Sequence, residues 1–193
     1  MRKKLVNQLE KYKPFNEQEE RDREVILKML QSEKDIFYRT NLCAHMTASA
    51  WVVNRERTKT IMVHHNIYNS WSWMGGHADG NENLLEVAVR EVKEECGVEN
   101  VRPVSQDIFS IEVLPLSGHM KNGKYVNSHL HLNITYLIEA GEAEKLSIKE
   151  DENSNAGWFT FSDAMAASSE EWFKEHIYAK LIEKLNNSNC SFL

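Results

Sequence analysis

GGHADGNENLLEVAVREVKEECGV, running from Gly75 to Val98, decides how the rest of the chain is read. Glycines open the stretch at Gly75, Gly76 and Gly80, letting the backbone bend tightly before a regular element begins. From Asn83 to Cys96 the periodicity is helical. At roughly 100° per residue, Leu85, Val89, Val92 and Cys96 gather on one side, with Ala88 at its edge. That stripe is expected to face a sheet, and Gly97 is placed to end the helix in a left-handed conformation. Glu91 and Glu95 stand four apart and Glu91 and Glu94 three apart, so the three carboxylates share a neighbouring face, with Arg90 further round. Like charges one turn apart repel, in a chain whose net charge is already −6. Two readings account for the crowding. One is a solvated acidic helix face. The other is a hard-oxygen site for Mg²⁺ or Mn²⁺, ions that favour carboxylates and retain several waters.

The complete spacing separates these readings. Gly76 is followed by five residues and then Glu82; seven more lead to Arg90-Glu91, then Val92, Lys93, Glu94-Glu95, Cys96, Gly97 and Val98. This resembles the Nudix box with every fixed position filled, a combination too specific to arise readily by chance. The resemblance runs from about residue 45 to 165, through HLHLNITYLI and NAGWFTFSDA, and leaves the N-terminal residues outside. Met74 stands where many family members carry a proline before the paired glycines, which removes a restraint on φ but no catalytic group.

The resemblance implies an α+β fold, an α/β/α sandwich around a mixed β-sheet. It implies metal-dependent hydrolysis of a diphosphate linked to a second moiety, often a nucleoside. Carried over position by position, Glu91, Glu94 and Glu95 are the metal-binding carboxylates, and the Gly75 carbonyl adds a ligand. Glu82 and Arg90 are supporting groups, with Arg90 orienting the acidic cluster. Water attacks one phosphorus while a carboxylate removes its proton. Glu95 is one candidate for that base, and an acid on a loop outside the box is the other. In KEDENSNAGW, Glu150, Asp151 and Glu152 precede Trp158, and Glu152 lies nearest the following strand. The catalytic set read from the sequence is therefore Glu94, Glu95 and Glu152. Two other functions share this fold: a module that binds nucleotides without cleaving them, and a prenyl diphosphate isomerase. The intact acidic set argues against the first, and the lack of a suited cysteine and tryptophan pair against the second.

Working outward, HMTASAWVVN and TIMVHH read as two strands joined by a turn at Arg55 to Lys59. A short SWSWM segment leads into the glycines, and DIFSIEVLPL reads as a strand. HMKNGKYVNS carries an Asn-Gly turn signal. In HLHLNITYLI, His129, His131, Asn133 and Thr135 alternate with Leu130, Leu132, Ile134 and Tyr136. NAGWFTF is a short strand, and Glu171 to Leu185 reads as one helix with Trp172, Ile177, Leu181 and Leu185 along a face. Residues 1 to 40 form a helical N-terminal extension, for packing or a homodimer contact, and residues 41 to 193 the hydrolase domain. Asn16 and Glu19 there have capping-box spacing.

Histidines concentrate around the box at His64, His65, His77, His129 and His131, in no recognised zinc-ligand spacing. His129 and His131 are candidates to line a substrate pocket. Trp71 and Trp73 are read as core residues beside a tight turn, with stacking on a base as the alternative. Cys43, Cys96 and Cys190 form no zinc or redox motif and are read as free thiols in a reducing compartment. No signal peptide or membrane-length apolar run is present, so a cytoplasmic protein without membrane contact is expected. The acidic balance argues against nucleic-acid polymers as partners and leaves a small phosphorylated substrate, whose charge a bound cation offsets.

Overall fold

The computed structural model describes residues 1–121, 123–149 and 151–190. Its helices are α1 (Arg2–Lys11), α2 (Glu17–Ser32), α3 (Leu84–Cys96), α4 (Phe161–Ala167), α5 (Glu171–Phe173) and α6 (Ala179–Cys190), with a π-helical turn, Lys174–Tyr178, between the last two. Its strands are β1 (Ala44–Val53), β2 (Lys59–His65), β3 (Ser70–Ser72), β4 (Met74–His77), β5 (Val101–Pro103), β6 (Ser110–Leu116), β7 (His119–Lys121), β8 (Lys124–Val126), β9 (His129–Ala140) and β10 (Asn153–Thr160). The strands hydrogen-bond in the order β10–β2–β1–β9–β5, with β3 on β2, β4 on β1 and β6 on β9, while β7 and β8 form a separate hairpin. The residues cluster as two compact units, and β1, β4, β9 and α3 contribute to both.

The first unit holds Met1–Ser49, Gly75–Ala88 and Gln106–Tyr136. Asn16 caps α2 as its spacing predicts, its side chain accepting from the Glu19 N–H at 3.0 Å. The Glu19 carboxylate reaches back one residue further than a capping box requires, to the Phe15 N–H at 2.8 Å. At the other end of α2, where no basic residue occupies the last turn, Arg2 of α1 donates to the Leu30 carbonyl at 2.8 Å and also to Glu33 O. A cation from a neighbouring helix thus meets carbonyls that the helix cannot satisfy itself. β6 and β9 pair antiparallel with Ser110 opposite Thr135 and Leu116 opposite His129. The alternation expected in β9 is present, yet both faces are covered. Asn133 and Thr135 are buried and donate to the Glu112 carboxylate at 2.9 and 2.8 Å, and the Asn133 carbonyl accepts from Thr47 and Ser49. Partners for every polar atom make such a face stable without water.

The second unit holds Ala50–Met74, Val89–Ser105 and the residues from Leu137 on. β10 lies antiparallel on β2 with Trp158 opposite Ile61. In the turn before β2, the Asn54 side-chain oxygen accepts from the Thr58 and Lys59 N–H groups at 2.8 and 2.9 Å, and Arg57 takes φ 54°. Trp51 is fully buried and stacks on Tyr178 and Phe161. Trp73 is buried in the core, whereas Trp71 is half-buried and packs edge-on against Phe159. β5 is a strand that the sequence pattern did not announce.

Two expectations are corrected. The segment expected as one helix from Glu171 to Leu185 is interrupted by the π turn. Its extra residue shifts the helical phase, so Ile177, Leu181 and Leu185 are buried while Trp172 is 43% exposed and stacks on His176. The buried face of α3 is also rotated from the expected stripe. It comprises Leu84, Val87, Ala88, Glu91, Val92, Glu95 and Cys96, with Leu85 and Val89 only half-buried. Two glutamates therefore belong to the covered face, and hydrophobicity alone could not have placed them there.

Candidate active site

Glu91, Glu94 and Glu95, in the second unit, sit on the last two turns of α3. Gly97 ends that helix with φ 70°, donating its N–H to the Lys93 carbonyl at 3.1 Å. A Cβ there would overlap the Ser147 hydroxyl. This close approach lets the loop before β10 lie on the helix end: the Ser147 N–H donates to Cys96 O at 3.0 Å, and the Glu144 carboxylate accepts from the Glu99 and Asn100 N–H groups at 3.0 and 3.3 Å. Cys96 itself is buried, which pushes its thiol up to about 11.

Fixed in this way, the loop delivers Lys149, Glu152 and Asn153 to the helix. Lys149 Nζ is 3.8 Å from Glu94 Oε2 and 3.1 Å from Glu152 Oε2. Asn153 is 1% exposed, and its amide donates to Glu95 Oε2 at 3.1 Å. Its carbonyl oxygen is buried without a hydrogen-bond partner. On the helix, Arg90 Nη2 donates to Glu91 Oε1 at 2.7 Å, and its Nε lies 3.7 Å from Glu94 Oε1. Burial pushes the Glu91 carboxyl above the usual carboxylate range, although the Arg90 hydrogen bond and charge pull the other way. For Lys149, partial burial acts to lower the ammonium pKa, but the Glu152 hydrogen bond and the charges of Glu152, Glu94 and Asp151 outweigh it and raise it.

Glu91, Glu94 and Glu95 are therefore grouped, and Glu152 stands with Glu94 around Lys149. Asp151 is exposed in the same loop, while Glu150 lies outside the described residues. The remaining sequence-selected residues belong to the first unit. Gly75 lies in β4, where a Cβ would stand 2.9 Å from the Ala48 carbonyl oxygen, so the glycine permits that close approach. Glu82 accepts from the Arg2 N–H at 2.7 Å and pairs with the Met1 ammonium at 3.4 Å, tying down the start of α1. His129 is buried and His131 half-buried, with their Nε2 atoms 3.0 Å apart. Burial, reinforced by the neighbouring His77, His45 and His129, drives His131 down to about 2. Sequence reading missed His45, Lys149 and Asn153. Their positions come from strand and loop placement, and only the proximity of the last two to Glu152 in KEDENSN offered a hint.

The acidic cluster is a set of hard oxygen donors with two cationic side chains among them. The NUDIX domain family model matches residues 44–181. The RNA pyrophosphohydrolase of Bartonella bacilliformis is 29% identical over 124 residues, 61% of this chain and 72% of that protein. Among solved structures, a C. elegans Ap4A hydrolase binary complex superposes with TM-score 0.54 at 16% identity, covering 76% of this chain and 98% of that one. The E. coli dihydroneopterin triphosphate pyrophosphohydrolase does so with TM-score 0.51 at 13% identity, covering 72% and 95%. At these identities the structural likeness speaks for the fold alone, and it is the α+β Nudix fold that the box implies. Matched through its acidic helix and over most of its length, the chain belongs to the Nudix family and is a hydrolase of pyrophosphate bonds.

Proposed function

We propose that this chain is a Mg²⁺- or Mn²⁺-dependent hydrolase of a nucleoside-diphosphate-type substrate, in which water attacks phosphorus. One observation carries the reading: three carboxylates of one helix, Glu91, Glu94 and Glu95, two of them buried, grouped with the loop acid Glu152. The donor set fits a hard divalent cation. It offers carboxylate oxygens, and Asn153 adds a buried neutral oxygen without a partner beside Glu95. Glu91, Glu94 and Glu95 would hold the cation, and the Nudix resemblance adds the Gly75 carbonyl. When bound, such a cation neutralises phosphate charge and makes water a better nucleophile.

The chain's own residues do the positioning. Arg90 holds Glu91 by a 2.7 Å hydrogen bond, and Asn153 orients Glu95. Lys149 offsets the charge of Glu94 and Glu152 while the site is open, and its ammonium is suited to a phosphate oxygen once substrate enters. The water proton goes to a carboxylate of this set. The ranking of Glu95→Gln against Glu152→Gln in kcat identifies which one, with Asp151→Asn as the loop control. Glu82 supports the fold through the N-terminus of α1.

The Bartonella and C. elegans proteins make RNA and Ap4A the first members of a substrate panel, followed by nucleoside triphosphates and nucleotide sugars. The experiment is phosphate and nucleotide release from that panel, with and without Mg²⁺ or Mn²⁺. Metal-dependent cleavage of at least one member is expected. Nucleotide binding without cleavage of any member would show a binding module in its place.

A further inference from the structure

The first unit contains a second cluster of metal-competent side chains. β1 supplies His45, the end of β4 supplies His77, and the start of β9 supplies His129 and His131. One ligand nitrogen from each lies within 4.8 Å of every other. The His45 ring centroid is 5.0 Å from His77, 4.6 Å from His129 and 5.1 Å from His131, and His77 and His131 are 4.9 Å apart, so the rings surround a common point.

Hydrogen bonds behind the rings set how two of them face it. His45 Nδ1 is 3.2 Å from Asn41 O, and His129 Nδ1 is 2.8 Å from Asn127 O. A carbonyl oxygen only accepts, so each Nδ1 carries a hydrogen, and in the neutral ring each Nε2 presents a lone pair. This is the outer hydrogen bond that metal-bound imidazoles use to hold tautomer and ring orientation. Both residues are buried, His45 at 4% exposure, and His45 Nε2 has no hydrogen-bond partner. A buried ring nitrogen left without a hydrogen-bond partner is a costly arrangement without a ligand.

We propose that His45, His77, His129 and His131 form a binding site for a d-block divalent cation, with Zn²⁺ the best match. Neutral imidazole selects Zn²⁺, Co²⁺, Ni²⁺ or Cu²⁺ over Mg²⁺, whereas carboxylates such as Glu91, Glu94 and Glu95 favour Mg²⁺ or Mn²⁺. At Zn–N distances of about 2.05 Å, the nitrogens of a tetrahedral site stand about 3.3 Å apart. The His129–His131 pair, at 3.0 Å, already has nearly that spacing, and the other rings close by rotamer adjustment. The site gives His129 and His131 a task other than lining a substrate pocket. It does not depend on the hydrolase reading, because metal binding is measured without substrate.

The test uses the full chain, stripped of metal and titrated with Co²⁺ while visible absorption is followed, then back-titrated with Zn²⁺. One equivalent of Co²⁺ is expected to develop the intense bands of a tetrahedral nitrogen site. No thiolate charge-transfer band should appear, which sets the site apart from binding at the exposed Cys43. One equivalent of Zn²⁺ should abolish the signal, and excess Mg²⁺ should leave it. His77→Ala, at the half-buried end of β4, and His129→Ala should each weaken binding at least tenfold, with folding checked by circular dichroism. Glu94→Gln should bind Co²⁺ like the parent. Absence of a one-equivalent site in the parent chain overturns the proposal without recourse to any variant. So does binding that survives both histidine substitutions, or that disappears in Glu94→Gln.

Discussion

The carboxylates of α3 and the histidines of β1, β4 and β9 are both groups of metal-competent side chains, but they are assembled in opposite ways. Glu91, Glu94 and Glu95 come within one turn of each other as soon as the helix forms, because three- and four-residue spacings share a face. His45 stands 32 positions before His77, which stands 52 before His129, so only strand pairing can bring them together. The charges differ as well. The helical group must be held against its own repulsion, which Arg90 and Lys149 reduce. The histidine group brings no carboxylate charges together, and burial and the Asn41 and Asn127 carbonyls fix it. A local cluster is thus written in residue spacing and stabilised by counter-charge, whereas a non-local one is written in topology and stabilised by packing.

The largest expected effect attacks the helical group. Glu94→Gln or Glu95→Gln keeps side-chain shape and removes a charge. Each should lower kcat at least about a hundredfold, as for loss of a metal ligand or general base, while the melting temperature of metal-free protein falls little or rises. Steady-state kinetics at saturating Mg²⁺ measure this, and a near-parental rate in both variants would remove the helix from the chemistry.

A middle-sized effect probes how that group is held. Arg90 touches Glu91 and Glu94 through its guanidinium, so Arg90→Ala should lower kcat about tenfold by loosening both carboxylates, with KM nearly unchanged. A raised KM at constant kcat would assign Arg90 to substrate instead.

The smallest effect is on stability and tests whether repulsion and burial are felt. Burial raises the folded-state carboxyl pKa of Glu91 above its unfolded value. Its contribution to stability is therefore fully present below the ordinary glutamate pKa and is lost as pH rises through the folded value. Metal-free Glu91→Gln should match the parent near pH 4 and melt higher at pH 7. Thermal melts at the two pH values check this, and a parent that gains on the variant with rising pH would mean that Arg90 more than offsets the burial.

Much of the fold was legible before the structure. The Asn16 cap, the strands at TIMVHH and HLHLNITYLI, and the helix ended by Gly97 all follow from local rules of periodicity, capping and backbone freedom. The same rules erred where the neighbourhood overrode them. Trp172 lost its place on the C-terminal helix face to a π turn, which no residue in KEHIY announces. Glu91 and Glu95 entered the covered face of α3 because Arg90 and Asn153 give them partners.

For the candidate site the division is similar. The sequence by itself determined the three carboxylates, their grouping and the Nudix family, because helical spacing converts residue numbers directly into distance. It also placed Glu152 on the loop before β10. Only the tertiary structure decided that Lys149 stands between Glu94 and Glu152, that Asn153 orients Glu95, and that His45 completes a ring of four histidines. Those contacts depend on where loops land and which strands pair, and many distant parts of the chain fix such arrangements together through packing.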